Sequence, residues 1–137
     1  MTFVDRQRPD VYVIFHTDNT IVEKDTLLDR AGNAYNIMRQ DSHFSVVRKG
    51  TVELEGINQA QEWLITQTTD QDVRGHYFNL EANSMLKTSA FPYLDISLRN
   101  GDFPPGRARE ELSKASLTDA EAVGLWDAIT RSFRARD

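Results

Sequence analysis

The chain has 137 residues, no cysteine, 39% hydrophobic and 27% charged residues, and a formal net charge of −5. That length closes a core without covalent or metal staples, and the balance of apolar and charged residues excludes a disordered chain. The lack of cysteine removes disulfides, thiolate metal sites and cysteine nucleophiles, and no apolar run approaches the roughly 20 residues that cross a bilayer.

After a polar lead-in ending at Pro9, Val11–Phe15 is apolar on both faces and reads as a central, doubly covered strand. A turn cluster at Thr17–Thr20 follows, and Ile21–Val22 resumes extended chain. Gly32, in Asp29–Asn33, and Gly50, in Arg48–Thr51, each close a short polar bend. Glycine enters the left-handed conformation that ends a three-residue hairpin loop. The two bends predict a continuous antiparallel meander from about Thr26 to Gly56, and Gly50→Val is expected to cost stability. Within it Phe44 and Val46 share a row, and Thr51–Glu55 alternates with Val52 and Leu54 inward.

Asn58 and Gln61 have capping-box spacing, and Ile57, Ala60 and Leu64 recur at i, i+3 and i+7 beside Trp63, which predicts a helix over 58–67. Extended chain returns at His76–Glu81 and Tyr93–Arg99; in the latter Leu94, Ile96 and Leu98 form one row and Tyr93, Asp95, Ser97 and Arg99 the other. Pro104 and Pro105 let neither strand nor helix through, so 100–106 is read as a break and a hinge. A short helix over 107–115 and a longer one over 118–134 follow. The longer one has a Thr118/Glu121 capping box, Leu117 as staple, and Ala122, Leu125, Trp126, Ile129 and Phe133 on one face.

The predicted fold is therefore α+β: one domain over 1–137, an antiparallel β-meander sheet of about six or seven strands, with the helices over 58–67, 107–115 and 118–134 packed on one face. Trp63, Leu64, Leu125, Trp126, Ile129 and Phe133 are expected to cover the Val52/Leu54 and Leu94/Ile96/Leu98 rows. A more closed, barrel-like sheet braced by the terminal helix is the alternative.

Few patterns carry chemistry. His16 and Asp18 have the spacing of two ligands to one metal, but a site needs a third, and His43 and His76 fall on other strands. Asp70, Asp72, Gly75 and Glu81 match positions of a calcium loop, yet Arg74 stands where an oxygen ligand belongs and a strand follows. Glu53 and Glu55 share the wet row of one strand. Ser42 and His43, as neighbours on an extended chain, point to opposite sides and form no nucleophile–base pair. Phosphate loops and dinucleotide fingerprints are missing. No metal and no cofactor are expected.

Two sets of residues remain as candidates. A ligand pocket between sheet and helix would draw on His16, Asp18, His76 and the outward row Tyr93, Asp95, Ser97 and Arg99. A partner surface would draw on Arg107, Arg109, Arg131 and Arg134. Arginine outnumbers lysine twelve to four, and it favours planar, bidentate contacts of the kind protein interfaces use. Residues 107–137 hold six basic and six acidic groups, so the first 106 carry the whole negative charge, a poor match for nucleic acid. Met1–Arg6 lacks a leader pattern, which with the missing cysteines points to the cytoplasm. The reading is a small, soluble, non-enzymatic module of a bacterial or phage accessory kind that binds another protein or its own copy as a homo-oligomer. The alternative is a small-molecule-binding or catalytic domain.

Overall fold

Two-residue alternation along the chain decides which side of the sheet takes the core. The computed structural model describes residues 1–18, 27–28, 44–54, 60–68, 73–82, 93–101 and 115–132. Six strands build one sheet: β1 (Thr2–Val4), β2 (Val11–Asp18), β3 (Phe44–Thr51), β4 (Gln61–Thr68), β5 (Arg74–Ala82) and β6 (Tyr93–Asn100). Their order is β1-β2-β6-β5-β4-β3 and every pairing is antiparallel. The last four strands thus form a meander, and the β1–β2 hairpin lies against its final strand. Among the described residues the sheet is open, with β1 and β3 at its edges.

Helix α1 (Asp119–Arg131) packs against β5 and β6. Thr118 caps it through a reciprocal box: its hydroxyl accepts from the Glu121 amide, and the Glu121 carboxylate accepts from the Thr118 amide. The predicted capping box is thus present, and Ala122, Leu125, Trp126 and Ile129 of the predicted face meet the core. Beneath the helix lie Phe78 and Leu80 of β5, Leu94, Ile96 and Leu98 of β6, Val11 and Val13 of β2, and Leu64 of β4. Trp126 is fully buried and meets Phe78 edge-to-face at 5.9 Å between ring centroids. Such a pair adds roughly 0.5–1.5 kcal/mol beyond the area it hides.

Several expectations are corrected. Residues 61–67 of the predicted 58–67 helix belong to the strand β4. Ala60 and Leu64 are four apart, and four is close to one helical turn but also two full strand repeats. The discriminating residues are their neighbours: Leu64 is fully buried under α1, while Trp63 and Ile65 lie on the opposite face. Trp63 is therefore not part of the cover over the Leu94/Ile96/Leu98 row. Gly50 closes no bend. It lies inside β3 opposite Glu62, where a Cβ would meet nothing within 4 Å. Its φ of 158° is nonetheless one that residues with a Cβ rarely adopt, so the cost of Gly50→Val rests on the backbone and not on a turn. Of the described residues 51–54 of that segment, only Thr51 belongs to β3; Val52 and Leu54 are nevertheless buried as expected. Leu27 and Leu28 are helical where extended chain was expected. The Gly32 bend, the 107–114 part of the second helix, Phe133 and the prolines of the break lie outside the described residues.

Glycine matters where β5 begins and β6 ends. A Cβ on Gly75 would stand 2.7 Å from the Asn100 carbonyl oxygen, and one on Gly101, at φ 97°, would stand 3.0 Å from Gly75 Cα and 3.3 Å from Ala115 Cβ. The left-handed backbone at Gly101 and this close approach bring the chain before α1 against the sheet.

Candidate functional site

The outward row of β6 lies on the face opposite α1. His16 stands across from Asp95 on β2, and Asn79 stands across from Ser97 on β5. These groups are tied to one another. Asn79 Nδ2 donates to Ser97 Oγ at 2.8 Å, Ser97 Oγ faces Asp95 Oδ1 at 3.5 Å, and Arg99 Nη1 donates to Asn79 Oδ1 at 3.3 Å. The Arg99 guanidinium also lies over the Tyr77 ring, 5.3 Å from its centroid. Burial pushes the Asp95 carboxyl above its ordinary range, against the hydrogen bond from Asn79 and the charges of Arg99 and His16. Burial likewise lowers Arg99. On the same face, Gln61 Oε1 accepts from the Leu28 amide at 3.0 Å, so chain from before β3 reaches over β4.

The proposed ligand residues are thus divided. His16, Asp95, Ser97 and Arg99 share the outer face, and the register places Asp18 opposite Tyr93 there. His76 belongs to the other face, buried beneath the start of α1, and cannot join them.

His76 lies in a second polar group. Its Nδ1 is 2.9 Å from Asn100 Oδ1 and its Nε2 is 2.7 Å from Asp119 Oδ1. Asn100 Nδ2 donates to Asp10 Oδ2 at 2.9 Å, and Asn100 Oδ1 also accepts from the Leu117 amide at 3.3 Å. Asp10 in turn accepts from the Ser116 amide at 2.9 Å and from the Ser116 hydroxyl. The group binds the entry to β2, the start of β5, the end of β6 and the first turn of α1 into one knot.

A third group sits at the other end of α1. Glu62, 2% exposed, accepts from Arg48 Nη2 at 3.1 Å and from Arg131 Nη2 at 2.7 Å. Arg48 also pairs with Asp127. The hydrogen bond and charge of Arg48, joined by the charge of Arg131, hold the Asp127 carboxyl below the usual range against a small burial cost. A β-bulge creates the arrangement. Val46 opposes Ile65 but Arg48 opposes Leu64, so Val47 is an extra residue that turns Arg48 onto the helix face. Of the four predicted partner arginines, Arg131 is engaged with Glu62 inside the chain; Arg107, Arg109 and Arg134 lie outside the described residues.

The Arg48–Glu62 and His76–Asp119 contacts were absent from the sequence reading, because each joins residues from different elements. The only signal was a polar residue on a row with apolar ones: Glu62 between Ala60 and Leu64, and His76 ahead of Phe78 and Leu80. Among the described residues no three His, Asp or Glu side chains are gathered as metal ligands. No described helix is long and apolar enough to cross a membrane.

The fold has relatives among solved structures. The immunity protein TplEi of the T6SS from Pseudomonas aeruginosa, in complex with an "L" peptide, matches at a TM-score of 0.76 and 24% identity, over 97% of this chain and 45% of that one. A chain of the Tle4–Tli4 complex matches at 0.76 and 25%, over 98% of this chain and 44% of that one. The apo structure of TplEi from the same organism matches at 0.75 and 25%, over 96% and 41%. This chain spans less than half the length of each of these proteins. No curated protein matches its sequence. Residues 1–137 match the C-terminal domain of Tle cognate immunity protein 4, and the chain belongs to that family.

Proposed function

We propose that this chain recognises a Tle effector by protein–protein contact and performs no chemistry on it. The observation that carries this reading is the family match over the whole of residues 1–137, together with a fold shared with a chain of a Tle4–Tli4 complex. The polar side chains support it. Both ring nitrogens of His76 face oxygen atoms of other side chains, and Asp95, Ser97, Asn79 and Arg99 hydrogen-bond to one another. Groups engaged in this way hold the fold and leave little for a substrate. The negative charge of the first 106 residues favours a protein partner over nucleic acid.

The effector, not a second copy, is the partner in this reading. The deciding experiment is the mass in solution of the purified chain, alone and mixed with its cognate Tle effector. A monomer alone and a stable complex in the mixture are expected. No complex with the effector, or stabilisation of the chain by a metal ion or small metabolite instead, overturns the proposal.

A further inference from the structure

The hydrogen bonds around His76 do not fit a neutral imidazole. The orientation of Asn100 is fixed independently of the histidine: its Nδ2 faces the Asp10 carboxylate at 2.9 Å, and its Oδ1 faces the Leu117 N–H at 3.3 Å. Exchanging the two amide atoms would set an oxygen against a carboxylate and an NH2 against a backbone N–H. Asn100 Oδ1 is therefore the atom 2.9 Å from His76 Nδ1, and Nδ1 must donate. Across the ring, Nε2 stands 2.7 Å from Asp119 Oδ1, which also accepts. A neutral imidazole has one N–H and one lone pair, whereas an imidazolium has two donors.

We propose that His76 is an imidazolium that acts as a proton-dependent latch, fastening the first turn of α1 to β5 and β6. When one proton leaves, a ring lone pair faces an oxygen across a contact of 2.7–2.9 Å, in a side chain only 2% exposed. That contact turns from attraction to repulsion, and water has little room to replace it. The proton exchanges at the Asp119 end, where the carboxylate is 54% exposed.

The groups around the ring are acceptors or uncharged, with one cation held off by Asp119. From α1 comes the Asp119 carboxylate, whose other oxygen meets Arg74 of β5 at 3.4 Å. From β6 comes the Asn100 amide, and beyond it the carboxylate of Asp10 at the entry to β2. On β4 the cross-strand neighbour is the uncharged Thr66, and on β5 the Phe78 ring stands edge-on at 5.6 Å. Glu121, in the same turn of α1, is turned away to its cap at Thr118. The latch is complete while both ring nitrogens carry a proton and slackens when either is lost.

Two measurements test this. In the whole chain labelled with 15N-histidine, the His76 ring, assigned through its contact with Phe78, is expected to show two protonated nitrogens at about pH 6. Urea unfolding of the wild type should lose roughly tenfold in the folding equilibrium constant between about pH 6 and about pH 8. That loss should be missing in His76→Phe, which keeps a flat ring but neither donor. An unprotonated ring nitrogen on His76 at the lower pH overturns the proposal, as does a pH dependence shared equally by the variant. If His76→Phe does not fold, the wild-type ring nitrogens alone decide.

Discussion

The two ends of α1 are fastened by opposite arrangements of charge. At the N-terminal end the hub is a neutral amide, Asn100, bonded to the equally buried Asp10 and His76, with the exposed Asp119 beyond the histidine. At the C-terminal end the hub is itself a carboxylate: Glu62 is 2% exposed, and its partners Arg48 and Arg131 are 36% and 39% exposed. Between them Trp126 supplies the apolar contact. A buried hub that is neutral fails when its hydrogen bonds are broken. A buried hub that is charged fails when its counter-charges are taken away, and it is far less sensitive to its own removal, because exposed arginines return to water.

The largest effect should come from stripping the charged hub. Arg48→Met combined with Arg131→Met leaves a carboxylate buried without a cation and should cost about 3–5 kcal/mol in urea unfolding. Glu62→Met should cost far less, since it removes the buried charge and frees two half-exposed arginines. If the two variants are equally damaging, the contrast between the ends is wrong. At the neutral hub, Asn100→Ala leaves His76 Nδ1 and the Leu117 amide without their acceptor, and about 2–4 kcal/mol should be lost. A smaller effect separates the glycines near each end. Gly75→Ala drives a Cβ to 2.7 Å from the Asn100 carbonyl oxygen and should cost about 1–3 kcal/mol, whereas Gly50→Ala, opposite Glu62, meets nothing within 4 Å and should show a smaller loss, from the strain of its φ of 158° alone.

Local chemistry was legible in the sequence; pairings between distant residues were not. The Thr118/Glu121 box and the Trp126 face specify α1 from within one short segment, and they appear as read. The alternation of Tyr93–Arg99 likewise assigns each side chain to its face without knowledge of its neighbours. The strand β4 was misread because Ala60 and Leu64 satisfy both periods, and because Glu62 interrupts what would otherwise be an apolar row. Glu62 belongs on that row only because Arg48 and Arg131 meet it there, and Arg131 is 69 residues away. The bulge at Val47, which aims Arg48, leaves no mark in composition. For the same reason His76 was grouped with the outer row: its place is set by Asp119, 43 residues later.

The smallest expected effect is also the one that sets the two ends apart most directly. The Asp127 carboxyl is held below the usual range, chiefly by its hydrogen bond from Arg48. A carboxyl depressed in the folded state stabilises the fold above its unfolded value of about 3.9 and loses that contribution as pH falls through the lower folded value. Asp127 is 41% exposed, so the contribution is under about 1 kcal/mol and shrinks further in salt. In unfolding experiments, Asp127→Asn should be less stable than the wild type at about pH 6, and the two should converge toward about pH 3. The C-terminal fastening thus weakens on the acid side, whereas the proposed latch at His76 needs its proton. An Asp127→Asn difference that grows with acid would mean that Arg48 gains nothing from this carboxylate, and that Glu62 alone holds the C-terminal end of α1 to the sheet.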